Sequence, residues 1–275
     1  RRRLAAVTLA LSPDTALDPE QRNRIHTLAM STGALGQILM EQSSPDCVTA
    51  YEETIRYAQR IQDTAAEAIT HFNLGHAYMQ IPAIRNLDAA EASYQRSLAL
   101  RAPNDLLKRA VSIKQIGMVH HERFTESGQR GESTEIVLKH AQAAEQHYQQ
   151  ALALCPPNAL TDLGPIHNQL GNLYQEVGQT ELAREHFEKR VQLAEQTGNR
   201  YHAGQVRNNM AVMYLQAAGR ESTASRQRDL LHRAEAYAQA ALRDFQHYQG
   251  RAADMEARAQ QLLAAIAQAL AKLPT

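Results

Sequence analysis

One short segment constrains the fold of this chain more than any other, because its small and large residues recur at a regular spacing. The segment LGNLYQEVGQTELAREHF occupies residues 170–187. Gly171 and Ala183 are its small residues, whereas Tyr174 and Phe187 are large. Small residues let two helices approach closely, and large side chains fill the remaining space. The pattern is typical of a pair of packed helices, so we expect its large residues to serve packing.

The same pattern recurs along the chain and marks five repeats. Each first helix carries a large residue followed by Gly or Ala, which we call the anchor pair. The anchor pairs are Leu35-Gly36, Leu74-Gly75, Ile116-Gly117, Leu170-Gly171 and Met210-Ala211. The large residues of the second helices are Tyr51, Tyr94, Tyr148, Phe187 and, as an exception, Ala238. Repetition at a period of roughly 20–50 residues indicates stacked structural units, and here a helical solenoid.

The residues at equivalent positions of the five repeats, here called columns, resemble those of the tetratricopeptide repeat (TPR) family. The resemblance extends over roughly residues 20–250 and is best in the fourth repeat. The long spacing is similar to that of the TPRs in kinesin light chains and in the sensor regions of signalling ATPases. The resemblance implies an all-α fold, a right-handed superhelical solenoid of about five helix pairs plus a C-terminal capping helix. We predict repeats at 18–62, 63–102, 103–157, 158–198 and 199–250, a capping helix at 251–275, and in 1–17 the end of an upstream helix, at 3–11.

Two repeats depart from the template. In the fifth, Ala211 replaces the glycine and Ala238 replaces the aromatic residue. The third and fifth are also stretched by polar insertions at 126–134 and 219–227. We expect these insertions to form mobile loops and helix extensions on one rim, where repeat proteins often bind partners. The alternative is that they are tolerated surface insertions without a role in binding.

Charge and composition narrow the function classes. The chain has 29 basic and 29 acidic residues, so no global field favours nucleic acid or an acidic membrane surface. No apolar run approaches the roughly 20 residues of a bilayer span. Cys47 and Cys155 lie far apart inside helical patterns, so we expect packed thiols in a reducing compartment, the cytoplasm. Because no Met precedes Arg1, we also expect a piece of a longer protein.

No sequence motif indicates catalysis. The chain has neither the G-x-x-x-x-G-K-[ST] phosphate loop nor a G-x-G-x-x-G turn. It has 12 histidines but no H-E-x-x-H and no Cys/His cluster, whereas a bound metal needs three or four converging ligands. We therefore predict a protein that is not an enzyme and has no metal and no cofactor.

The predicted binding site is the groove formed by the leading helices. The residues directly before the anchor pairs of repeats two to five are Asn73, Gln115, Gln169 and Asn209. A primary amide both donates and accepts hydrogen bonds, so a ladder of amides can pair with an extended peptide backbone. The candidate groove residues are Phe72, Asn73, His76, Lys114, Gln115, His121, Asn168, Gln169, Asn172, Asn208 and Asn209. The alternative is that these amides bond across to neighbouring helices or simply face water.

The TPR resemblance implies the same use, because some TPR grooves hold peptides through Asn and Lys at these positions. Lys114 with Asn168, Asn172 and Asn208 would then grip a carboxylate or an acidic peptide. These columns hold no second Lys or Arg, which favours a mixed polar and apolar ligand.

Three functions follow. The first is a non-catalytic protein–protein interaction scaffold that binds a peptide or partner segment in its concave groove. The alternative is the sensor or regulatory region of a larger multidomain signalling protein, for example a nucleotide-switch ATPase. A third possibility is self-assembly through the ends of the array. We expect a protein or peptide partner, and neither nucleic acid nor a membrane.

Overall fold

The computed structural model describes residues 16–274, so the helix predicted at 3–11 lies outside the described residues. Within the described part, the chain forms eleven α-helices and one short 3-10 helix, with no strand. The helices are α1 (Pro19–Glu41), α2 (Cys47–Arg60), α3 (Thr64–Gln80), α4 (Leu87–Leu100), α5 (Leu106–Gln129), α6 (Thr134–Leu154), α7 (Leu160–Glu176), α8 (Thr180–Gln196), α9 (Arg200–Arg220), α10 (Ala224–Gln246) and α11 (Ala253–Ala271), with the 3-10 helix at Pro82–Ile84. The predicted all-α class is confirmed.

The chain divides into two compact units, Arg1–Leu154 and Cys155–Thr275, here called the N-terminal and C-terminal units. In the N-terminal unit the hairpins α1–α2, α3–α4 and α5–α6 each pack internally, and α2 contacts α3 as α4 contacts α5. In the C-terminal unit α7 packs on α8 and α9 on α10, α8 contacts α9, and α11 packs against α10 and α9. Within each unit, the hairpins thus contact their sequence neighbours, as in helical-repeat proteins. The exact repeat limits stay a prediction.

In four hairpins a glycine of the first helix lies against an aromatic ring of the second. The pairs are Gly36 with Tyr51, Gly75 with Tyr94, Gly117 with Tyr148 and Gly171 with Phe187. A Cβ atom on any of these glycines would lie 2.5 to 2.7 Å from a ring carbon. All four aromatic residues are buried, with at most 1% of their surface exposed. The small column therefore makes room for the partner ring, rather than simply letting two backbones approach.

The fifth hairpin keeps this contact but displaces it by two helical turns. Gly204 lies seven residues before Ala211, and Phe245 lies seven residues after Ala238. A Cβ on Gly204 would be 2.8 Å from the Phe245 ring, which is fully buried. Because the two helices of a hairpin run in opposite directions, opposite shifts of seven residues keep glycine and ring at the same level. The repeat that departs most in sequence preserves the same packing device.

The polar insertions are mostly helical. The structure leaves only residues 130–133 between α5 and α6, although a longer loop was predicted at 126–134. Likewise only residues 221–223 separate α9 from α10, within the loop predicted at 219–227. The prediction of helix extensions is confirmed, and the prediction of long loops is wrong. Glu, Gln and Arg, which supply many of the inserted residues, have high helix propensity.

Candidate functional site

In the N-terminal unit, the predicted groove residues of α3 form an aromatic cluster. The rings of Phe72 and His76 meet edge to face with centroids 4.7 Å apart, and each ring is 5.6 Å from that of Tyr94. Gln115 of α5 is buried, and its Nε2 lies 3.0 Å from His76 Nε2. The Gln115 amide therefore bonds across to a neighbouring helix, which is the alternative that the sequence left open.

His76 is held in its neutral form. Burial lowers the pKa of His76 to about 4, and the nearby positive charge of Lys114 acts in the same direction. At neutral pH the ring thus has one donor and one acceptor nitrogen, and the acceptor can receive the Gln115 amide proton. This part of the predicted groove supplies packing and an internal hydrogen bond.

Two further predicted residues of this unit have different surroundings. His121 Nδ1 lies 3.3 Å from the Tyr148 hydroxyl, so its ring belongs to the packing of the α5–α6 hairpin. Asn73 is partly exposed and makes no hydrogen bond to another described residue. Of the two amides that precede an anchor pair in this unit, only Asn73 keeps its hydrogen-bonding groups open.

In the C-terminal unit, α7 carries three amides with open hydrogen-bonding groups. Asn168, Gln169 and Asn172 are partly exposed, and none bonds to another residue among 16–274. Asn168 and Asn172 are four residues apart and therefore lie on the same face of α7. The sequence left open that these amides bond to neighbouring helices, and within the described residues the three amides of α7 do not.

On α9, Asn208 has an unusual environment. Its Oδ1 is buried yet accepts no hydrogen bond within the described part of the chain. An unsatisfied buried acceptor costs about 1–3 kcal/mol, so such atoms usually have a water or a ligand as partner. The next residue, Asn209, is exposed and also has no hydrogen bond to a described residue.

The repeat positions relate the amides of α7 and α9. Asn172 and Asn209 occupy the positions at which His76 and Gln115 bond to each other in the N-terminal unit. No such bond joins Asn172 to Asn209 among the described residues, although α7 and α9 both pack on α8. We call Asn168, Gln169, Asn172, Asn208 and Asn209 the C-terminal amide set.

The described residues offer no metal centre: across 16–274, no three His, Cys, Asp or Glu side chains are placed to hold an ion. No helix in that part of the chain combines the length and apolarity that crossing a membrane requires. Both Cys47 and Cys155 are buried thiols outside any disulfide, as expected for packed cysteines.

Residues 164–197 match the family model described as tetratricopeptide repeat. The match covers most of α7 and all of α8, the segment singled out by its sequence pattern. These residues thus form a TPR-type repeat, and the chain as a whole has a helical-repeat fold. A comparison with curated proteins gives no match. TPR folds are typically non-catalytic and mediate protein interactions.

Solved structures show the same fold class. BtubC (BKLC) from P. vanneervenii matches this chain with a TM-score of 0.51 and 14% identity, over 84% of this chain and 91% of that one. A computationally designed self-assembling cyclic homooligomer covers 91% of this chain and 96% of its own at 10% identity, but its TM-score of 0.23 is too low to indicate a shared fold. The likeness to BtubC indicates a helical-repeat fold alone. The predicted similarity to kinesin light chains is not shown by these matches.

Proposed function

We propose that this protein is a non-catalytic scaffold that binds an extended peptide segment through the C-terminal amide set. The observation that carries the proposal is the buried Asn208 Oδ1, which accepts no hydrogen bond from a described residue. Some polar groups between helices of the same unit are paired, as in the 2.8 Å bond from the Tyr237 hydroxyl to Glu188. A ligand would supply the missing partner of Asn208 Oδ1 and would bond to the open amides at the neighbouring repeat positions.

The chemistry of the amide set defines the ligand. Five neutral amides offer donors and acceptors but no charge, which suits the N–H and C=O groups of an extended backbone. Each hydrogen bond contributes about 0.5–1.5 kcal/mol net, so several are needed for useful affinity. Side chains of the peptide would supply the rest through apolar contact, as in the mixed ligand predicted from the sequence.

The test is the triple variant Asn168→Ala, Asn172→Ala, Asn208→Ala in the full chain. Peptides selected with the wild type from a random display library should bind the variant about tenfold more weakly or worse, because three hydrogen bonds are lost. Thermal stability should be unchanged or higher, because Asn208→Ala removes an unpaired buried acceptor. Affinity capture followed by sequencing of the retained proteins then extends the test to natural partners.

A matched control replaces three amides outside the set: Asn104→Ala, Asn158→Ala and Gln196→Ala. All three are exposed and remove the same kind of group. The control should retain peptide binding within about twofold, since exposed surface changes have small effects. Equal retention by both triple variants would move the binding site away from the amide set.

A further inference from the structure

A second site lies in the C-terminal unit, in a cleft between the end of α8, the start of α9 and the end of α10. Its volume is about 550 Å³. Three arginines line it, Arg200 and Arg207 from α9 and Arg243 from α10. We call it the arginine cleft. Two carboxylates, Glu195 and Asp244, also line it, so positive charge is in excess.

One of the three arginines is already committed to the fold. The Arg207 guanidinium forms ion pairs with both Glu195 of α8 and Asp244 of α10. Its side chain is only 19% exposed, and that of Asp244 only 15%. Arg207 thus ties three helices together and offsets one of the two negative charges of the cleft.

The other two arginines have no carboxylate partner among residues 16–274. Arg243 is exposed and makes no hydrogen bond or ion pair with another described residue. Arg200 only approaches a ring nitrogen of His247, at 3.5 Å. By contrast, Arg85 and Arg123, which also reach across helices, each pair with two carboxylates. Most donors of Arg200 and all donors of Arg243 therefore remain without a partner among the described residues.

Arg200 occupies a position that the fold itself disfavours. It is the first residue of α9, where the helix dipole places partial positive charge. A basic side chain there is repelled, whereas an anion in the cleft would be attracted by both the helix end and the guanidinium. Helix stability alone thus gives no reason for arginine at this position, and an anionic ligand does.

The arginine cleft is distinct from the C-terminal amide set. Arg207 and Asn209 are two residues apart on α9, which corresponds to about 200° around the helix axis. Their side chains consequently leave α9 on opposite sides. A ligand of the cleft would not compete directly with a peptide on the amide face.

We propose that the arginine cleft binds a short anionic peptide segment, through carboxylate or phosphate groups held by Arg200 and Arg243. The planar guanidinium suits both anions because it can form two parallel hydrogen bonds to either. A cleft of about 550 Å³ holds more than one side chain, so a run of acidic or phosphorylated residues fits it better than a single ion.

The test measures binding of labelled peptides to the full chain by fluorescence anisotropy. The probes are hexaglutamate, a phosphoserine peptide and its unmodified serine counterpart. The variant Arg200→Gln, Arg243→Gln should bind the anionic probes about tenfold more weakly, because hydrogen bonds between charged groups are lost. The matched control Arg220→Gln, Arg251→Gln removes the same charge from exposed positions outside the cleft and should change binding less than about twofold.

Thermal melting separates binding from folding. Because Arg200 opposes the helix dipole, Arg200→Gln alone should leave the melting temperature unchanged or raise it while weakening binding. Tighter binding of the phosphoserine peptide than of hexaglutamate would assign the anion as phosphate, and the reverse as carboxylate; both support the proposal. Equal losses in the two double variants, or no binding of any probe by the wild type, would overturn it. Displacement of the peptides by inorganic phosphate at equal concentration would overturn the peptide assignment.

Discussion

Replacing Gly171 by alanine tests whether the recurring spacing of small and large residues exists to make room for an aromatic ring. A Cβ at this position would lie 2.5 Å from Cε1 of Phe187, closer than real Cβ atoms approach. Phe187 is fully buried, so relief requires a shift of the ring or of the α7–α8 hairpin. Such overpacking costs about 1–3 kcal/mol. Alanine's better helix propensity offsets about 1 kcal/mol, so we expect the free energy of unfolding to fall by about 0–2 kcal/mol.

Gly219→Ala is the matched control. Gly219 also lies in a helix, α9, but a Cβ there would have no neighbouring heavy atom within 4 Å. Only helix propensity acts, so this variant should gain up to about 1 kcal/mol. The difference between the two variants is then the steric cost alone. Urea unfolding followed by far-UV circular dichroism measures it, and a Gly171→Ala midpoint raised as much as that of Gly219→Ala would refute the reasoning.

A double-mutant cycle assigns the cost to the ring. Phe187→Leu removes the ring carbons nearest to Gly171, and on its own it should destabilise the hairpin. In that background, Gly171→Ala should cost less than in the wild type, with a coupling free energy of about 0.5–3 kcal/mol. Strict additivity would mean that the strain lies elsewhere.

Two further substitutions test buried polar groups. Burial lowers the pKa of His76 to about 4 from the ordinary 6.5. Between pH 6.5 and 4, His76 therefore binds a proton in the unfolded chain but not in the folded chain. Stability should therefore fall as the pH drops from 6.5 to 4, and His76→Gln should flatten this dependence in urea titrations, whereas His232→Gln, at an exposed site, should not. Arg207→Gln should lower the free energy of unfolding by about 1–3 kcal/mol in thermal or urea melts, because it leaves the mostly buried Asp244 carboxylate without its partner. An unchanged melting curve would contradict this role of Arg207.

The fold could be predicted from the sequence because the contacts that define each hairpin are local and carried by few residue types. Gly171 and Phe187 are sixteen residues apart, and their contact joins α7 to α8. The fifth hairpin shows that comparing residues at equivalent repeat positions can miss a contact that the structure preserves. Gly204 and Phe245 preserve the same contact two turns away, and only three-dimensional register relates them to the column residues. A search for any glycine–aromatic pair with opposite shifts would have found them.

The candidate site was less predictable, because a column fixes a position on a helix but not its hydrogen-bond partner. Gln115 and Gln169 occupy the same column, yet Gln115 is buried against His76 while Gln169 has no hydrogen bond to a described residue. The partner of Gln115 comes from the preceding repeat, so the sequence around Gln115 does not reveal it. The arginine cleft was missed for a related reason. Arg200 and Arg243 are far apart in sequence and show their shared environment only when α9 and α10 are packed.

The two proposed sites of the C-terminal unit require ligands of opposite character. The C-terminal amide set is neutral and suits an uncharged backbone, whereas the arginine cleft has an excess of positive charge and suits an acidic segment. Since Arg207 and Asn209 leave α9 about 200° apart, a short peptide cannot contact both. Salt distinguishes them, because screening weakens binding at exposed Arg200 and Arg243 but has little effect on hydrogen bonds between neutral amides. A partner that binds through both sites must therefore be long enough to pass around α9, and raising the salt concentration should release its acidic part first.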